Sequence, residues 1–162
     1  MSAKDLSKIK LFAMDVDGTL TDGHIYMGND GEIMKAFNAK DGLGIKQLQN
    51  IGIVTAIITG RTSKIVENRC QELGISELHQ GIAEKGQVLS ALTEKYHLSP
   101  DEVAYIGDDL NDMGAFSVAG ITFAPADCAR QIIPFIDIHL SRKAVECAVR
   151  EATDMILESH NK

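Results

Sequence analysis

The chain has 162 residues, 44% of them hydrophobic, and a formal net charge of -7. That length suits one domain, residues 1–162, with an ordinary core, and the acidic balance argues against nucleic acid or an anionic membrane as partner. Cys70, Cys128 and Cys147 are odd in number and lack Cys-x-x-Cys spacing, and the histidines show no metal-ligand spacing. Neither a disulfide framework nor a zinc site is indicated, and a reducing cytoplasm is the expected location. The polar stretch Met1–Lys10 contains acid and does not read as a signal peptide, and no apolar run approaches membrane-spanning length.

In chain order, Ile9–Asp15 reads as a buried strand ending in Asp15-Val16-Asp17-Gly18-Thr19. His24–Met27 and Glu32–Phe37 flank Gly28-Asn29-Asp30-Gly31, the turn chemistry of a β-hairpin. Its apolar arms are too short to bury themselves, so it must pack on its own domain or on another subunit. Ile51–Thr59 is the second strand. Thr62 or Ser63 then caps a helix whose Ile65, Val66, Arg69, Cys70 and Leu73 share a face, closed by Gly74. A short strand over Glu77–Gln80 precedes a helix over Glu84–Tyr96. Strand Val103–Gly107, a short helix Asn111–Ala119, strands Ile121–Phe123 and Phe135–Leu140, and a last helix carrying Val145, Val149, Ala152 and Ile156 complete the chain. This alternation predicts an α/β fold: a Rossmann-like, doubly wound parallel sheet with helices on both faces, a protruding hairpin at about 24–37 and no large cap domain. Ligands of such sheets bind at the carboxyl ends of strands, where the notable residues fall.

Those residues suit phosphoryl transfer. Asp15 and Asp17 stand two apart just past a strand, so both can meet one small site. Asp15 is the candidate nucleophile and a metal ligand. Asp17 is the candidate general acid and base, and a second member of the metal set. Asp108 is a third metal ligand, and Asp109 or Asp112 would orient the metal's waters. Clustered carboxylates call for a hard cation such as Mg²⁺. Thr59 offers a hydroxyl and Gly60 a backbone N–H to a phosphoryl oxygen, and Lys85 a point charge. Taken singly, the same residues read as an acidic turn, a strand end and a solvated lysine.

The ordered series Asp15-x-Asp17-Gly18-Thr19, Thr59-Gly60, Lys85 and Gly107-Asp108-Asp109-x-x-Asp112 resembles the four motifs of the haloacid dehalogenase superfamily of phosphohydrolases. Tyr26-Met27-Gly28, Lys35-Ala36-Phe37-Asn38, Asp41-Gly42-x-Gly44-Ile45, Leu78-His79-Gln80-Gly81 and Val103–Leu110 narrow the resemblance to its capless branch acting on 3-deoxy-D-manno-octulosonate 8-phosphate (KDO 8-phosphate). The resemblance implies a Mg²⁺-dependent phosphatase that works through an aspartyl-phosphate. It implies release of phosphate and KDO, a sugar of Gram-negative lipopolysaccharide. It also implies a homotetramer in which hairpins meet at the centre and a neighbour closes the active site. Arg61 would pair with the substrate carboxylate, and Asn38 lies near where substrate enters. A nine-carbon, sialic-acid-type substrate and a non-catalytic scaffold remain alternatives; arginine rather than glutamate after Gly60 favours the eight-carbon substrate. A response-regulator-like phosphate carrier fits less well, because Asp17 and Lys85 suit hydrolysis. The chain departs from the branch at Ala144-Val145-Glu146-Cys147, where glycines and an arginine are usual, and at Thr19, where valine is common. Asp41 is expected to cap a helix, and Val145–Ile156 to form one amphipathic C-terminal helix.

Overall fold

The structure, a computed structural model, describes residues 4–162. β1 (Leu11–Met14) lies at the centre of a six-stranded sheet and is buried along its whole length. It pairs in parallel with β4 (Val54–Ile58) on one side and β6 (Val103–Ile106) on the other. β5 (Glu77–His79) extends the first side; β7 (Ile121–Ala124) and β8 (Ile138–His139) extend the second, all parallel. Counting only the strands of this sheet in chain order, their spatial order is 3-2-1-4-5-6, the doubly wound arrangement whose ligand crevice opens beside the central strand.

Helices cover both faces, so strands here are continuous apolar runs rather than alternating ones. Phe12 and Met14 face one core layer with Ile45 and Leu48 of α1 (Ala39–Asn50), Val66, Cys70 and Leu73 of α2 (Lys64–Leu73), and Val149, Ala152 and Ile156 of α5 (Ala148–His160). Leu11 and Ala13 face the opposite layer with Leu89 and Leu92 of α3 (Lys85–Lys95) and Phe116 of α4 (Met113–Val118). The period-two split of β1 between the two layers is what the strand geometry dictates.

The hairpin forms a separate two-stranded antiparallel sheet, β2 (Tyr26–Gly28) and β3 (Gly31–Met34), shorter than its sequence suggests. A bridge between Thr21 and Phe37 ties its base to the body. Ile25, Met27, Ile33 and Met34 are exposed on it.

Three local expectations differ from the structure. The C-terminal helix does not start at Val145: Ala144–Glu146 is a 3-10 turn, Cys147 takes a left-handed φ of 63°, and the helix begins at Ala148. Val145 is therefore exposed rather than on the packed face. Asp41 does not cap its own helix. Asn38 caps α1, its Oδ1 accepting from the Lys40 N–H at 2.9 Å, while Asp41 Oδ1 accepts from the Arg150 N–H at 2.8 Å and so caps the neighbouring α5. The last strand shrinks to Ile138–His139 because Phe135 belongs to the 3-10 turn Arg130–Phe135 and Asp137 gives its N–H to the Thr122 hydroxyl at 2.8 Å rather than to the ladder.

Candidate active site

β1, β4 and β6 end side by side and deliver the acidic loops to one cavity of about 260 Å³. Asp15, Asp17 and Gly18 from the loop after β1, Thr59, Gly60 and Arg61 from the loop after β4, and Asp108, Asp109 and Asn111 from the loop after β6 line it. Asn111 carried no signal in the sequence beyond its place between two aspartates. A larger open groove of about 570 Å³ runs along α3 and α4, lined by Glu84, Gln87, Ser90, Glu94 and Ser117 among others. It gathers none of the nucleophilic or cationic groups found in the smaller cavity.

The buried Lys85 Nζ lies 2.8 Å from Asp15 Oδ1 and 2.8 Å from Asp112 Oδ1. It sits at the first residue of α3 and reaches across to the loops after β1 and β6. Burial works against its charge, and Asp15 and Asp112 more than offset that, holding its pKa above the ordinary lysine value.

Asp112 is completely buried and accepts four hydrogen bonds. Its Oδ1 takes Lys85 Nζ at 2.8 Å and the Tyr105 hydroxyl at 2.6 Å; its Oδ2 takes the Asp108 N–H at 2.9 Å and the Asp109 N–H at 3.2 Å. It thereby pins the loop after β6. Gly107 makes this possible, since a Cβ there would lie 2.3 Å from Asp112 Cγ. Asp109 spends Oδ1 on the Leu110 N–H at 2.7 Å, capping the 3-10 turn Leu110–Asp112. Tyr105, read in the sequence only as part of a strand, proves to anchor this site.

Asp108 faces Asp15 and is packed against Gly18, where φ is +85° and a Cβ would stand 2.2 Å from Asp108 Oδ2. Thr19, buried beneath, donates its hydroxyl to Asp108 Oδ1 at 3.4 Å. Burial raises the pKa of Asp108, and the charges of Asp15 and Asp112 raise it further. Asp15 is raised too, by burial and then by Asp112, with Lys85 opposing.

Oxygens of Asp15, Asp108 and Asp112 lie within 4.8 Å of one another. Three carboxylates against the one ammonium of Lys85 leave two negative charges when all are ionised. An all-oxygen donor set with that deficit fits a hard divalent cation. Asp112 already accepts from four donors, so Asp15 and Asp108 are the carboxylates with oxygens to spare. The Asp17 carboxylate is not in this cluster. It turns instead to Lys35, whose Nζ is 2.6 Å from Asp17 Oδ1. Arg61 is half-exposed at the rim, 4.0 Å from Glu32 Oε2. Asn38 lies away from the cavity, at the start of α1 with its Nδ2 3.5 Å from the Val145 carbonyl.

The haloacid dehalogenase-like hydrolase family model matches residues 43–120. The 3-deoxy-D-manno-octulosonate 8-phosphate phosphatase KdsC of Escherichia coli K12 is 46% identical over 95% of this chain and 82% of its own length. The cobalt-bound phosphatase of the same substrate from Haemophilus influenzae superposes with a TM-score of 0.94 at 39% identity, covering 98% of this chain and 92% of that one. The Moraxella catarrhalis phosphatase, solved with a magnesium ion, a phosphate ion and KDO, superposes at 0.93 with 42% identity, covering 97% and 90% of the two chains.

Proposed function

The chain belongs to the 3-deoxy-D-manno-octulosonate 8-phosphate phosphatases of the haloacid dehalogenase-like hydrolases, and on that premise we propose that Asp15, Asp17, Thr59, Lys85 and Asp108 carry hydrolysis of KDO 8-phosphate. The observation that carries this assignment is the convergence of Asp15 and Asp108 on one cavity at the switch point of the sheet, with the buried Lys85 paired to Asp15. A carboxylate nucleophile, a buried ammonium and an unbalanced pair of acids are what an anionic phosphoryl group and a cation require.

Asp15 and Asp108 would hold Mg²⁺, whose charge would offset that of the phosphoryl oxygens and lessen their repulsion of an anionic nucleophile. Lys85 favours the ionised form of Asp15, against burial and Asp112, and aims it. Asp15 attacks phosphorus as the bond to the sugar oxygen breaks, and Asp17 gives that oxygen its proton. Asp17 then takes a proton from the water that cleaves the aspartyl-phosphate, which regenerates both acids. Thr59 and Gly60 line the same cavity, and a hydroxyl and a backbone N–H there suit the non-bridging oxygens. Arg61, at the rim, suits the sugar carboxylate in a two-pronged pair. The occupied donor set of Asp112 suits an anchor for the Asp108 loop better than a place in the metal set. Asn38, capping α1 away from the cavity, would reach substrate only from a neighbouring subunit.

The exposed Ile25, Met27, Ile33 and Met34 on a hairpin that cannot bury them itself support assembly through that hairpin, as a tetramer whose neighbour closes the open site. Three buried free cysteines fit a reducing compartment, the cytoplasm.

The test is phosphate release with Mg²⁺ from KDO 8-phosphate, a nine-carbon keto-acid phosphate and common sugar phosphates. The expected result is a strong preference for KDO 8-phosphate, abolished in Asp15→Asn because an amide is a poor nucleophile. Broad, weak activity would overturn the substrate assignment, and turnover by Asp15→Asn would overturn the nucleophile.

A further inference from the structure

Lys35 follows β3 on the hairpin, directly after the exposed Ile33 and Met34, yet only 1% of its side chain is exposed. Its Nζ is 2.6 Å from Asp17 Oδ1 and 2.9 Å from Glu32 Oε2. Glu32 in turn accepts from the Ser63 hydroxyl through Oε1 at 2.6 Å and lies beside Arg61. Three chain segments therefore meet in one polar chain: the loop after β1, the hairpin, and the loop after β4 that carries Thr59, Gly60 and Arg61.

An ammonium is withdrawn from water only at substantial cost unless it is fully paired. Lys35 is placed where that cost secures something: Asp17 stands beyond the strand end on a loop, and no other side chain donates to its carboxylate among the described residues. Left alone, such a side chain samples several rotamers. With Lys35 gripping Oδ1 and Glu32 holding Lys35 from behind, one orientation of Asp17 prevails.

We propose that Lys35, braced by Glu32, is a positioning residue that holds Asp17 toward the leaving oxygen, which makes the hairpin part of the catalytic apparatus as well as an assembly surface. The proposal rests on the reading of Asp17 as general acid. It concerns orientation, so its signature is selective for leaving groups that need a proton.

The experiment compares kcat/KM, which reports the steps through transfer to Asp15, for KDO 8-phosphate (or any alkyl phosphate the wild type hydrolyses) and for p-nitrophenyl phosphate. p-Nitrophenolate departs without protonation. In Lys35→Met, kcat/KM for the alkyl phosphate is expected to fall about 100-fold and that for p-nitrophenyl phosphate less than about 3-fold. Lys35→Arg should recover part of the loss. Asp17→Asn serves as the reference. If it shows the split and Lys35→Met loses both substrates equally, or neither, the positioning role is refuted while the acid stands. If Asp17→Asn shows no split, the reading of Asp17 fails and the proposal fails with it. Should Lys35→Met not fold, Glu32→Gln decides: it keeps a Ser63 partner, loosens Lys35, and is expected to show the same split at smaller size. Equal losses on both substrates in Glu32→Gln would refute the role.

Discussion

Replacing Asp112 by asparagine separates an anchoring role from a metal-binding one. Each carboxylate oxygen of Asp112 accepts two donors: Lys85 Nζ and the Tyr105 hydroxyl at Oδ1, the Asp108 and Asp109 N–H groups at Oδ2. An amide turned either way sets an NH₂ against two donors in a fully buried position. Two donors lose their acceptor, at roughly 1–3 kcal/mol each, and Lys85 loses one of its two counter-charges. The expected destabilisation is about 4 kcal/mol, in the range seen when a buried pair is broken. In a chain of this size that lowers the melting temperature by roughly 10 °C. The decisive assay is urea unfolding of Asp112→Asn and wild type in EDTA. An anchor loses its stabilisation whether or not metal is present. A metal ligand behaves in the opposite way: with cation stripped off, removing one charge from three crowded carboxylates relieves repulsion. A variant as stable as wild type in EDTA, or more stable, would refute the anchoring argument.

Gly18→Ala would drive a methyl group to 2.2 Å from Asp108 Oδ2 at a φ of +85°; strain of about 1–2 kcal/mol and a displaced Asp108 should weaken Mg²⁺ activation and cut turnover about 100-fold. A Mg²⁺ titration identical to wild type would contradict it. Asp41 is buried, its Oδ2 has no partner, and burial pushes its pKa up to about 7. The folded state thus binds this proton more tightly than the unfolded chain, so its contribution is full below about pH 4 and is lost as pH rises through 7, by up to about 4 kcal/mol. Asp41→Asn keeps an acceptor for the Arg150 N–H and should flatten that decline; unfolding curves between pH 4 and 8 with the same slope in both proteins would rule the assignment out.

Much of the sheet could be read along the chain because its strands are buried on both faces and appear as apolar runs within Ile9–Ala13, Ile51–Ile58 and Val103–Ile106, although Ile51 is exposed at the end of α1 and β4 starts only at Val54. α2 was equally legible, with Gly74 left-handed at its end. α1 is not legible in the sequence, since Gly42 and Gly44 dilute its pattern; it is held as a helix by packing against α5. The start of α5 is not legible either, because Val145 happens to fall in register with Val149, and periodicity does not reveal a left-handed residue such as Cys147.

By itself, the sequence determined which groups could do the chemistry, because acids, a lysine and glycines placed just past apolar runs have few other uses in that order. Only the tertiary structure decided how those groups are partnered. Lys85 meets Asp112, Asp17 turns to Lys35, Asp41 caps a helix more than a hundred residues away, and Asn38 sits at a helix start outside the cavity. The physical reason is range. Strand and helix periods record which face of its own element a residue occupies, whereas a buried charge is settled by whichever donor the folded chain brings within hydrogen-bond distance, and that donor's place in the sequence is set by topology alone.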